Sequence, residues 1–241
     1  MFNSALRQVA LATALTVTIG GMALSPAKAD TWDFSSPTGP LGTTQNYSST
    51  PNGLTATVAG FLSALTNPNS VGAFSTPGNL FGKHDGTDPS GSVENGVGMQ
   101  SPAGDTSGQN EIQAGTSFVR LSLPSSIGVT MTVDSTTGAE KYDIWGSTSA
   151  TSGYTEIVTG GTAQGTPIPL SALCPGCTFF ALFADGTQGG AGTLPANVLL
   201  GAATAVIPLP GALPLFATGL GALGLLGWRR KRKQVASQLT L

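Results

Sequence analysis

Ser117-Phe118-Val119-Arg120-Leu121-Ser122-Leu123 carries Val119, Leu121 and Leu123 on one face and Arg120 and Ser122 on the other. That is the period of two expected of a strand with one face turned to a core. Ile127 to Val133 repeats the pattern, with Val129, Met131 and Val133 inward and Thr130 and Thr132 outward. The two runs read as an antiparallel pair joined by a turn at Pro124 to Ser126. Further strands are expected at Leu54–Leu62, Glu140–Trp145, Tyr154–Val158 and Thr178–Ala184. The last is apolar on both faces, so it is expected to be central and covered on both sides.

Between these runs stand Gly, Pro, Asn, Ser and Thr, the punctuation of strands joined by turns, with no amphipathic helix from Asp30 to Ala205. The expectation is an all-β chain with one ectodomain, a β-sandwich or jelly roll. No fixed-period repeat favours a solenoid or propeller. The stretch Ser63–Ser117 is poorer in apolar residues and is expected to form long surface loops with a few short strands.

Composition points the same way. Among 241 residues, 34 are glycine and only 9% are charged, which disfavours a helical cytosolic enzyme. All twelve acids lie between Asp30 and Asp185, opposed there only by Lys83, Arg120 and Lys141, a net of −9 for the middle region. Nucleic acid is therefore an unexpected partner, since phosphate neutralisation needs clustered Lys and Arg. Cations, or polymers that cations bridge, suit such a surface better.

The ends differ from the middle. Arg7 and the amino terminus precede an uncharged apolar run, Val9–Leu24, and then Ser25-Pro26-Ala27-Lys28-Ala29. Ala27 and Ala29 match the small-x-small pattern of signal peptidase, so residues 1–29 read as a cleaved signal helix and Asp30 as the first mature residue. At the other end, Ile207–Trp228 is uncharged and matches the roughly 20 residues that a membrane helix requires. The prolines Pro208, Pro210 and Pro214 start the regular helix near Pro214, so Pro214 to Trp228 is the expected inner-membrane span. Arg229, Arg230, Lys231, Arg232 and Lys233 follow as a basic stop, which places the tail 234–241 in the cytoplasm and the middle region outside.

The segment Ile207-Pro208-Leu209-Pro210-Gly211, the apolar helix and the basic run together resemble the VPLPA-CTERM variant of the PEP-CTERM sorting signals. Ile207 stands for Val, Gly211 for Ala, and Leu209 occupies the place where the commoner form has Glu. The resemblance covers residues 206–233 and implies an exosortase substrate of a Gram-negative bacterium. Such a protein is held in the inner membrane, then displayed at the cell surface or released into extracellular polysaccharide.

Chemistry-bearing residues are few. The one histidine, His84, lies beside Lys83, Asp85 and Gly86 and reads as a solvated loop residue, without a G-x-S-x-G motif to make it a catalytic base. Cys174 and Cys177 have C-x-x-C spacing in a chain expected to leave the cytoplasm, and a disulfide is the expectation. Thr178 after Cys177 excludes c-type haem attachment. Asp85, Asp88 and Glu94 offer hard oxygen ligands for calcium, although their spacing fits no EF-hand and a solvated acidic loop explains them too. Trp32, Tyr47, Trp145 and Tyr154 are either core residues or sugar-stacking surfaces, with Trp145 the one to test first. No cofactor is expected. The functional expectation is a non-enzymatic structural or matrix protein; the alternative is a lectin-like carbohydrate-binding module, with or without calcium.

Overall fold

In the computed structural model the described residues are 29–87, 93–101, 109–136, 140–186, 195–206 and 219–221. They form two antiparallel sheets. The first holds β1 (Ala29–Asp33), β2 (Gly39–Gly42), β6 (Leu80–Thr87), β7 (Val93–Met99), β8 (Ile112–Gln113), β10 (Thr130–Asp134) and β14 (Asn197–Val206). The second holds β3 (Thr44–Ser48), β4 (Thr55–Leu62), β5 (Pro77–Gly78), β9 (Ser117–Ser122), β11 (Lys141–Ser147), β12 (Thr155–Gly161) and β13 (Phe179–Asp185). One short helix, α1 (Leu170–Leu173), precedes β13.

In the first sheet the path is β1-β14-β7-β6-β2, and the ten-residue β14 also pairs with β10 and β8. In the second it is β12-β11-β13-β9-β4-β3, with β5 on β4. Both sheets supply one face to a shared core. Trp32, Val97, Met131, Val133, Val198 and Leu200 come from the first sheet, and Val58, Val119, Leu121, Ile144, Phe180 and Leu182 from the second. Every one of these is at most 2% exposed, so desolvation of the two inner faces is the main term holding the sheets together. The architecture is all-β and sandwich-like, as the alternating runs imply.

The outer face of the second sheet is covered too. Phe61, Phe118 and Phe183 lie side by side in the register of β4, β9 and β13, with ring centroids 5.1 Å apart for the first pair and 4.4 Å for the second. Phe74 and Tyr154, stacked at 5.6 Å, complete a second apolar cluster. The expectation that the Thr178–Ala184 strand is covered on both sides is met by β13, whose five central residues are all buried.

Two expectations need correction. Ser117–Leu123 and Ile127–Val133 do not pair: β9 lies between β13 and β4 in the second sheet, and β10 pairs with β14 in the first. Their apolar faces oppose each other across the core instead of lying side by side. Leu123 N–H still bonds to Thr178 O, but Pro124 has no N–H to continue the ladder, and Ser125 and Ile127 bond to Val206 of the other sheet. Alternation selects a face but not a neighbour.

Ser63–Ser117 is likewise more regular than expected. Most of β6 and β7 pair as a long hairpin despite three glycines at close approaches. A Cβ at Gly82 would run into Pro37 O, and one at Gly96 (φ +145°) into Leu200 O. Glycine here admits a neighbouring backbone and does not mark a loop.

Candidate functional site

One end of the sandwich gathers the C-terminal ends of β4 and β7, the start of β9, β8, and the first residue of β14. Between them lies a cleft of about 20 Å³ with Leu62 and Met99 on its apolar side. Gln100, Gln109, Asn110, Gln113 and Asn197 line the rest, together with Ser101, Thr116 and Glu111. The rim is fixed by local hydrogen bonds. Ser101 N–H donates to Asn110 Oδ1 (3.0 Å) and Asn110 N–H to Ser101 Oγ (3.2 Å), tying the two ends of one connection together. Gln113 N–H donates to Ser117 Oγ (3.1 Å), and Thr116 Oγ1 to Gln113 O (3.1 Å). Asn197 Nδ2 donates to Gln109 Oε1, while Asn197 N–H donates to the buried Glu140 carboxylate at 3.1 Å.

Behind the cleft is a buried ionic group. Lys83 Nζ, on β6, donates to Glu94 Oε2 of β7 at 2.6 Å and to Glu111 Oε1 at 2.8 Å. Ser135 Oγ, just beyond β10 at φ +60°, donates to Glu111 Oε1 at 2.9 Å. Two carboxylates thus share one ammonium. Burial is the main cause that raises the Glu111 carboxyl to about 7; Lys83 opposes it and Glu94 adds to it. This group joins β6, β7, the start of β8 and the end of β10. Its position suits a latch, and it lacks the three-carboxylate donor set of a cation site; no group of three metal-ligating side chains occurs among the described residues.

The residues singled out from sequence are dispersed. Glu94 is committed to Lys83, Asp85 lies on β6, and Asp88 is outside the described residues, so the calcium candidates are not seen gathered. His84 is an exposed residue of strand β6, not of a loop. Cys174 and Cys177 form a close pair, as the disulfide expectation requires, and their sulfurs pack over Gly146 of β11. Trp32, Tyr47 and Tyr154 are core residues; Trp32 Nε1 donates to Leu54 O at 2.8 Å. Trp145 is half-buried at the edge of the outer aromatic cluster.

Ala29 is the first residue of β1. Ala27, the motif Ile207, Pro208, Leu209, Pro210 and Gly211, and the basic stop Arg229–Lys233 lie outside the described residues, as does Pro214–Trp228 except for helical residues 219–221. No helix among the described residues is long and apolar enough to cross a membrane.

Sequence reading missed Glu111, Gln113 and Asn197. One signal was present: Asn110-Glu111-Ile112-Gln113 packs three polar groups around a single apolar residue, and Ile112 is fully buried. The fold and cleft define an all-β, sandwich-like protein with a polar cleft at one end. Comparison with protein-family models, curated proteins and solved structures finds no match.

Proposed function

We propose that this chain is an exported, non-enzymatic structural protein of a Gram-negative cell surface or extracellular matrix. Its leader is removed after Ala29, and its C-terminal segment is an exosortase sorting signal of the VPLPA-CTERM kind. The observation that supports this reading most strongly is the pairing of Ala29 with Val206 in the β1–β14 ladder, which sets the residue before the expected leader cleavage beside the residue before Ile207.

The two-cysteine staple agrees with an oxidising destination. The middle region, net −9 and with Lys83 already paired, gives nucleic acid no basic patch among the described residues. Mass spectrometry of the mature protein from cells with and without an exosortase tests the reading. The expected result is a C-terminus near Pro210 only when the enzyme is present. An intact Arg229–Leu241 tail in both strains reduces the segment to a plain anchor.

A further inference from the structure

We infer that the cleft at the Asn197 end of β14 is a binding site for neutral, hydroxyl-rich polysaccharide, and that it takes the edge of one sugar ring. The lining carries this. The amides of Gln100 and Gln113 supply donors and acceptors, the mixed capacity that neighbouring sugar hydroxyls need, while Gln109 and Asn110, held by Asn197 and Ser101, fix the shape of the rim. Leu62, 39% exposed and backed by the buried Met99, supplies an apolar wall for the C–H face of a ring. A cleft of about 20 Å³ has room for one water-sized group, so a single ring hydroxyl fits it. The rest of the ring lies across the rim.

Charge narrows the ligand class. Among the described residues neither Arg nor Lys lines the cleft, so a phosphate, sulfate or uronate group meets no counter-ion from them. Glu111, the one ionisable lining group among the described residues, is already held by Lys83 and Ser135, and the middle region is net −9. An acidic polymer is repelled and a neutral one is not. Position supports display: the ten residues of β14 span about 30 Å from the cleft at Asn197 to the corner at Val206. On the export reading, the cleft lies at the opposite end of β14 from the segment that leads to the membrane.

The inference goes beyond the structural reading and does not depend on tail processing. The test is affinity electrophoresis and calorimetry of the full chain in detergent against dextran, a soluble β-glucan and alginate. The expected result is binding to at least one neutral polymer and none to alginate. Gln100→Ala with Gln113→Ala weakens it about tenfold or more, the worth of one or two hydrogen bonds. Thr116→Trp, from an exposed position on the rim, blocks it, and Trp145→Ala leaves it unchanged. Circular dichroism and thermal melting of each variant separate lost binding from lost folding. Alginate binding at least as tight as that of the neutral polymers overturns the inference. So does neutral binding that survives both cleft variants, or the absence of binding to either neutral polymer. None of these results bears on the mature termini, so the export reading stands or falls separately.

Discussion

Glu111 and Asp30 show how this chain uses buried acids. The folded state keeps the Glu111 proton up to about pH 7, whereas the unfolded chain releases it near 4.5. The stability from this group is therefore full below pH 4.5 and is lost as pH rises through 7, on the order of 3 kcal/mol. Burial raises Asp134 and Asp143 in the same direction. Thermal melting between pH 5 and 8 is expected to show a falling melting temperature, and Glu111→Gln to flatten the slope while Glu94 keeps Lys83 paired. A slope unchanged by that substitution contradicts the assignment to Glu111. Asp30, fully buried, accepts from Ser49 Oγ (2.8 Å), Asn52 N–H (3.0 Å) and Asn52 Nδ2 (2.9 Å). Asp30→Ala strands those donors and is expected to cost about 2 to 4 kcal/mol in urea unfolding. The first residue after the expected cleavage site is thus a fold anchor, which its place next to a small-x-small motif does not reveal.

At the scale of the element, alternation was legible and partnership was not. The inward set Val119, Leu121, Met131 and Val133 is buried as the pattern requires, yet β9 and β10 belong to different sheets because Pro124 ends the ladder. Arg120 does point away from the core, as expected. Its guanidinium nevertheless lies 5.3 Å from the centre of the Phe61 ring and 5.6 Å from that of Phe74, and Nη1 donates to Ala150 O at 2.8 Å. A loop from elsewhere in the chain covers it, which a local pattern cannot show. Strands β6 and β7 were hidden by their glycines, whose role is close backbone approach. Gly96→Ala is expected to cost about 2 kcal/mol or more, because the new Cβ meets Leu200 O and the φ of +145° is unfavourable for alanine. Urea titration checks this; a loss below about 0.5 kcal/mol is inconsistent with that packing. The polar cleft was illegible for the same reason as the pairing: Gln100, Gln113 and Asn197 meet only once three separate strand ends converge.

For the whole molecule, the fold class followed from composition and period, since glycine-rich alternation without amphipathic helices leaves a layered β structure as the economical way to bury a core. The export reading rests on the two ends and on the Ala29–Val206 rung that brings their boundaries together. Val71, fully exposed on the loop after β4, offers a direct probe. The most direct test is to label the Val71→Cys protein with a membrane-impermeant maleimide in spheroplasts, with the native cysteines held in their disulfide. Labelling before lysis is the predicted result. Labelling that requires lysis places the sandwich in the cytoplasm and contradicts the account.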